Sequence, residues 1–252
     1  MVVKLLTYTD LGEKITAAAG KLCYSSANID TIFDGLDDDA TGSFVDMLMS
    51  VGHQSTIEHL SFTFAVENVS RTLLAQLTRH RIASFSVQSQ RYVAEKTFEY
   101  VIPPEIEKNE EAKKIFITAM NNAQDSYIKL IDILKVQKSE NLKQNGKSAE
   151  DALKSAEKAV LEDARFVLPN ACDTKLIMTM NARSLLNFFM LRCCKRAQWE
   201  INAMAVEMLR LCKQAAPHIF AKAGPNCLRG ACPEGSRSCG KAVEMKEFFA
   251  KL

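Results

Sequence analysis

Apolar positions along the chain change their spacing often enough to lay out its elements. Val2–Tyr8 alternates loosely and predicts a strand, and Leu11–Leu22, centred on Ala17-Ala18-Ala19, predicts a helix. Cys23–Ala40 is polar and carries Gly and Asp, which predicts a surface loop. Its Asp37-Asp38-Asp39 run is read as a solvated helix start or a cation-binding cluster. Phe44, Val45, Leu48 and Met49 predict a short helix ending near Gly52, and Phe62, Phe64 and Val66 mark a strand. From Ser70, a natural N-cap, Leu73, Leu74 and Leu77 return to helical spacing. Phe98–Ile102 predicts a strand stopped by Pro103-Pro104, and Glu105–Lys138 an amphipathic helix with a solvated charged face and room for an interruption. Asn145-Gly146 predicts a turn, Ser148–Glu162 a helix and Thr174–Met180 a strand. Helices are predicted from Asn181 through Leu191 and from Ala197 to about Ala215, and a loop-like tail over Gly224–Gly240.

Composition narrows the class. With 252 residues the chain can bury a full core, and 32 basic against 30 acidic residues leave a net charge of +2. That balance gives no overall pull toward nucleic acid. No apolar run reaches membrane-spanning length, and Met1-Val2-Val3-Lys4 does not open a signal peptide. Eight Cys in a chain this long predict reduced thiols and a cytoplasmic setting rather than a disulfide scaffold.

Four stretches carry candidate chemistry. In Gln76–Tyr92, three donors, Arg79, His80 and Arg81, arrive where the preceding helix should end. Successive helical side chains point about 100° apart, so either these three radiate to different partners or the backbone turns. Ser84, Ser86, Gln88, Ser89, Gln90, Arg91 and Tyr92 follow, and guanidinium forks beside Ser and Gln suit a phosphate and the rim of a heterocycle. The same cluster also reads as cations beside a helix dipole, or as a basic-aromatic patch for nucleic acid. His53 and His59 flank Glu58 but sit six apart, which fits neither a helical metal pair nor a zinc finger. Arg165 lies beside the apolar Phe166-Val167-Leu168-Pro169, as a snorkelling Arg would. Asn181 suits an N-cap. Arg183 and Asn187 share a helix face, while Arg192, nine residues beyond Arg183, falls about 180° away on a regular helix. Two faces of that kind predict service to two sites, as in a symmetric oligomer. Cys227, Cys232 and Cys239 are not spaced like paired zinc knuckles; a covering loop of reduced thiols is expected, the alternative being a metal site completed by His218 or Cys212.

Taken together, the motifs resemble the flavin-dependent thymidylate synthases. They are Gly-His-x-Ser-x-x-Glu-His from Gly52, Arg79-His80-Arg81 continued at Ser89-Gln90-Arg91-Tyr92, Ala-Arg-x-x-Leu-Pro from Ala164, and Asn-Ala-Arg-Ser-Leu-x-Asn-Phe-x-x-x-Arg from Asn181 with Ala-Gln-Trp-Glu from Ala197. The resemblance spans His53–Gln198. It implies an α+β fold, a central mixed or antiparallel sheet packed with helices, with residues 1–223 as catalytic domain and 224–252 as a Cys-containing extension. It also implies a homotetramer with shared active sites, converting dUMP to dTMP with 5,10-methylenetetrahydrofolate as carbon donor, FAD as hydride relay and NADPH as reductant. By the same resemblance Ser55, Arg79, His80, Arg81, Asn181, Arg183 and Asn187 hold FAD, and His53 lies where flavin and folate meet. Gln76, Arg79, Gln88, Ser89, Gln90, Arg91, Arg165 and Arg192 take dUMP, with Arg192 at the uracil edge. A fixed cation there favours the anionic ring and makes C5 nucleophilic without an enzyme adduct. No Cys, and no metal or nucleic acid, is then needed, and Ser89, with no evident base, positions rather than attacks. Two positions depart from the family pattern: Ser86-Val87 stands where many relatives carry Asn-Glu, and Arg196 where many carry His.

Overall fold

In the computed structural model, which describes residues 1–92 and 98–252, the first strand is Val2–Tyr8 (β1), followed by Gly12–Leu22 (α1). The expected loop over Cys23–Ala40 is partly helical. Asn28 caps Ile29–Asp34 (α2) and Asp37 caps Asp38–Val51 (α3), their side-chain oxygens accepting from the Thr31 and Ala40 N–H groups at 2.8 Å each. The acidic run is therefore a helix start, with its charges at the positive end of α3. Gly52 closes α3 at φ 80°, a left-handed cap that glycine adopts without steric cost.

Ser61–Ser70 (β2) runs into Arg71–Leu77 (α4), whose first turn is capped by the Ser70 hydroxyl accepting from Leu73 N–H at 3.2 Å. The polar run after Arg81 supplies a short strand, Ser84–Val87 (β3), which contains the variant pair Ser86-Val87. Glu105–Lys138 divides at Asn109: Pro104–Glu107 is α5, and Glu110–Gln144 is α6, with Asn109 capping it through the Glu111 and Ala112 N–H groups. Ala149–Ala164 (α7) follows the Asn145-Gly146 turn, and a 3-10 turn, Arg165–Val167, ends it. Asp173–Asn181 (β4) passes without a loop into Ala182–Arg192 (α8); Trp199–Ala215 (α9), Pro217–Phe220 (α10) and Ala242–Ala250 (α11) complete the order.

The fold is α+β, as the motifs imply: four strands form one antiparallel sheet in the order β1-β2-β4-β3. β1 and β2 pair with Val3 opposite Val66 and Leu5 opposite Phe64, with an irregularity between Leu5 and Thr7. The predicted strand at Phe98–Ile102 reduces to a single bridge, Tyr100 to Cys172.

Two compact units divide the chain, one of Met1–Glu67, Gln76–Ser86 and Leu176–Leu252, the other of Asn68–Ala75 and Val87–Lys175. In the first, Phe62, Phe64 and Val66 are fully buried on one face of β2, and Phe62, Phe189 and Phe220 meet edge-on, with Phe220 5.4 Å from Phe62 and 5.9 Å from Phe189. In the second, Tyr127 of α6 packs on Leu161 and Ala164 of α7, and Phe98, Met120 and Cys172 form a neighbouring cluster. Among the described residues no helix is long and apolar enough to cross a membrane.

Candidate active site

The short helix α4 ends where the donors begin. Arg79 N–H donates to the Gln76 carbonyl at 3.3 Å and His80 N–H to the Leu77 carbonyl at 3.1 Å, so i→i−3 bonds tighten the chain and turn it. Of the two geometries open to the triplet, the turned backbone is the one found, and Arg79, His80 and Arg81 all reach one cleft. α8 supplies the facing wall. Asn181 caps it by accepting from Ser184 N–H at 2.8 Å, which occupies its oxygen and leaves its amide hydrogens for another partner. At the other end, Asn202 Nδ2 donates to the carbonyls of Arg192 at 2.8 Å and Cys194 at 3.2 Å, satisfying acceptors that a helix end leaves bare.

The cleft measures about 930 Å³ and is lined by Arg79, His80, Arg81, Asn181, Arg183, Asn187 and Arg192. Two motifs far apart in the chain thus meet at one place, His80 and Arg192 being 112 residues apart. Arg183, Asn187 and Arg192 do not serve opposite sides. α8 is unbroken, but Arg192 is its last residue, and its long side chain swings back so that Nε donates to His80 Nε2 at 3.0 Å. Helical phase fixes where a Cβ points; it does not fix where a long, flexible side chain delivers its guanidinium.

His80 is held on two sides. Its ring stands edge-on to Phe188 at 4.9 Å, and its Nε2 accepts from Arg192, so the neutral ring carries its proton on Nδ1. Burial first, and the Arg192 cation second, hold its pKa below the ordinary value of 6.5. The unfolded chain therefore takes up this proton before the folded one does. The stability contributed by the neutral ring is complete above 6.5 and is lost as pH falls through the lower folded value. The thermal midpoint is expected to drop as pH is lowered from about 7 to about 5, with part of that slope missing in His80→Gln. Parallel slopes for the two proteins would contradict this linkage.

Among the further residues that line the cleft and that sequence reasoning does not single out for the site are Gln54, Glu58 and Arg229. Glu58 accepts from the Arg183 guanidinium at 2.5 Å, so Arg183 enters the site with its charge already partnered. For Glu58 the place inside the Gly-His-x-Ser-x-x-Glu-His motif is a usable signal; Arg229 has none.

Other predicted residues lie elsewhere. Ser55 is exposed before the 3-10 turn Thr56–His59, and exposed His53 lines a separate, largely apolar cavity with Tyr24, Phe44 and Val51. Gln76 is half-buried on α4. In the second unit, Gln88 N–H donates to the Lys175 carbonyl at 3.0 Å, and its own carbonyl accepts from Arg71 at 3.3 Å. Ser89 Oγ accepts from Arg91 N–H at 3.2 Å. Arg91 pairs with the Glu162 carboxylate at 3.1 Å, while Arg165 Nε donates to the Glu162 carbonyl at 3.3 Å, so one residue of α7 gathers both cations. Gln90 is buried, and its side-chain nitrogen finds no hydrogen-bond acceptor among the described residues, an orphan donor of the kind a ligand oxygen satisfies.

The tail over Gly224–Gly240 is loop-like with two 3-10 turns and free thiols, and among the described residues the alternative cluster with His218 or Cys212 does not form. Cys227, Cys232 and Cys239 line one small cavity together with Cys194, not Cys212 or His218. His218 pairs with Asp46 at 3.2 Å, and its N–H donates to Glu13. Among the described residues no group of three or more His, Cys, Asp or Glu is placed to hold a metal. Arg196 ties the tail down: its guanidinium donates to the Arg237 carbonyl and lies 4.0 Å from the Glu234 carboxylate.

Comparison with known proteins gives the same reading over a longer stretch. Residues 4–218 match the family model described as thymidylate synthase complementing protein. A flavin-dependent thymidylate synthase of Clostridium tetani is 53% identical over 98% of this chain and 96% of its own length. Its counterpart in Geobacter sulfurreducens is 47% identical over 100% and 99%. That of Pyrococcus horikoshii is 38% identical over 92% and 89%. With the two motif-bearing walls meeting in one cleft and near-complete coverage at these identities, the chain belongs to the flavin-dependent thymidylate synthase family of enzymes.

Proposed function

We propose that the chain catalyses reductive methylation of dUMP to dTMP, with 5,10-methylenetetrahydrofolate supplying the carbon, FAD relaying the hydride and NADPH reducing the flavin. The observation that carries this reading is the convergence of Arg79, His80 and Arg81 with Asn181, Asn187 and Arg192 on one cleft. The residues suit a flavin nucleotide. Arg79 and Arg81 have no ion-pair partner among the described residues, and Met180, Leu186 and Met190 offer apolar surface beside the Asn181 and Asn187 amides. When bound, FAD supplies the redox chemistry, and the protein supplies position and electrostatics.

Arg79 and Arg81 hold phosphate oxygens by charge-assisted bonds, and Arg79 also reaches the nucleotide. Neutral His80 fixes Arg192 through Nε, leaving the terminal nitrogens of that guanidinium to face the uracil edge. Gln76, Gln88, Ser89, Gln90, Arg91 and Arg165 bind the nucleotide sugar and phosphate, the orphan amide nitrogen of Gln90 supporting its part. Ser55 joins the flavin set and His53 the flavin–folate junction on the strength of their motif. No thiol serves as nucleophile: Cys193, beside Arg192, is fully buried, and burial pushes its pKa far above the range where a thiolate forms.

The enzyme acts on this reading as a cytoplasmic homotetramer with shared sites, residues 1–223 forming the catalytic domain. The family model's end at residue 218 supports that boundary, and eight free thiols suit a reducing compartment. Because Arg183 and Arg192 line the same cleft, their helical phase lends sharing no support, and the family resemblance alone does. The purified protein should be yellow with flavin absorbance, and should form dTMP only when dUMP, methylenetetrahydrofolate and NADPH are all present. A colourless protein that shifts RNA would favour nucleic-acid binding instead.

A further inference from the structure

Arg229 lines the same cleft as Arg79, Arg81 and Arg192, and it lies beyond residues 4–218, the stretch that the family model matches. The only carboxylate among the described lining residues, Glu58, is taken by Arg183. No ion pair reaches Arg79, Arg81 or Arg229 among the described residues, so three guanidiniums face one volume without compensation. All three are exposed, and a ligand carrying phosphate relieves the repulsion among their uncompensated charges while matching each planar fork.

The placement of Arg229 is built rather than incidental. Gly224 turns the chain at φ 141°, a conformation in which any L side chain is strained, and a Cβ there would crowd Leu228 Cδ1 at 2.5 Å. Pro225 and Cys227 are buried, and Leu228 and Arg229 N–H groups donate to the Pro225 and Asn226 carbonyls at 3.0 Å each, closing a 3-10 turn that ends at Arg229. Beyond it, α11 is anchored by buried Met245 and Phe249, and Lys213 Nζ donates to the Phe249 carbonyl at 3.0 Å. Arg196 holds the intervening loop at Arg237. The position at which this chain departs from the family's His is thus occupied by the residue that straps the extension in place.

We propose that the C-terminal extension is part of the active site, and that Arg229 binds a phosphate group of a nucleotide held in the cleft. Arg196 acts on it as a positioning residue. The inference rests on the function proposed above. Phosphate is common to the flavin, the nucleotide substrate and the nicotinamide reductant, and three measurements on full-length protein separate these sources: the flavin Kd, the KM for dUMP, and the KM for NADPH in flavin reduction.

Arg229→Ala is expected to raise one of these about tenfold, as loss of a charge-assisted hydrogen bond does, with kcat changed much less. Arg229→Lys should recover part of the loss, and the difference from wild type should shrink as salt is raised. Arg196→Ala should shift the same constant in the same direction by a smaller factor. All three constants within twofold of wild type, or a change confined to the folate KM, would overturn the proposal. Should Arg229→Ala fold poorly, Arg229→Gln keeps a polar stem without the charge; a comparable rise in one constant then supports the proposal, and three unchanged constants overturn it. A wild-type protein that neither binds flavin nor forms dTMP would instead overturn the function itself. An active wild type with an indifferent Arg229→Ala overturns this inference alone.

Discussion

Arg192→Ala is expected to lower dTMP formation about a hundredfold or more while the protein stays folded and flavin-loaded. The reason is positional. Arg192 ends α8 with its carbonyl fixed by Asn202 and its Nε fixed by His80, so its terminal nitrogens are held before any substrate arrives. A donor set in advance stabilises developing charge without reorganising during the reaction, which is why such groups weigh more in rate than in binding. The flavin contacts proposed for Arg79, Arg81, Asn181 and Asn187 are untouched by this change. Arg192→Lys should rescue little, because an ammonium lacks the planar fork that donates to His80 with one nitrogen and to a ligand with the others. Turnover in Arg192→Ala within a few-fold of wild type, at full flavin occupancy, would remove Arg192 from the chemistry.

Phe188→Ala carries the largest expected stability loss, about 3–5 kcal/mol, measured by denaturant unfolding with flavin removed. The side chain is fully buried, packs edge-on to Phe189 at 5.8 Å, and forms the wall against which His80 stands. Deleting the ring opens a cavity that α8, continuous with β4 at one end and bonded to Asn202 at the other, has little freedom to collapse. His80 then loses its backing and Arg192 its fixed acceptor, so activity should fall further than the stability loss alone accounts for. An unfolding free energy within about 1 kcal/mol of wild type would show that the core tolerates the hole, and that Phe188 is not what holds His80.

Much of this arrangement can be read from residues whose physics is local. Phe62, Phe64 and Val66 alternate because β2 has one buried face, and Ser70 and Asn181 cap because each immediately precedes a helical apolar spacing. What escapes the sequence depends on partners distant along the chain. α2 hides in a polar run because Asn28, rather than an apolar period, starts it. Tyr100 pairs with one residue, Cys172, so the β-rich Phe98–Ile102 never extends into a strand. The shared cleft of Arg183 and Arg192 is hidden by side-chain reach, and although its motif marks Glu58, nothing local shows that its partner lies 125 residues away. Arg229 sits at the end of a 3-10 turn without periodicity, and only the fold shows that it lines the cleft.

Asn181 is at once the last residue of β4 and the cap of α8, and this double membership restricts how the site can be altered. Leu176, Met178 and Met180 are buried at every second position of the strand, so inserting one residue among them would turn the following side chains onto the opposite face. The helix would start about 100° out of phase, carrying Arg183, Asn187 and Arg192 with it, and no loop lies between to absorb the error. Length changes at this junction should therefore be lethal to function. Reshaping the cleft for a different ligand has to come from its other borders, the turn that bears Arg79–Arg81 and the strapped tail that bears Arg229.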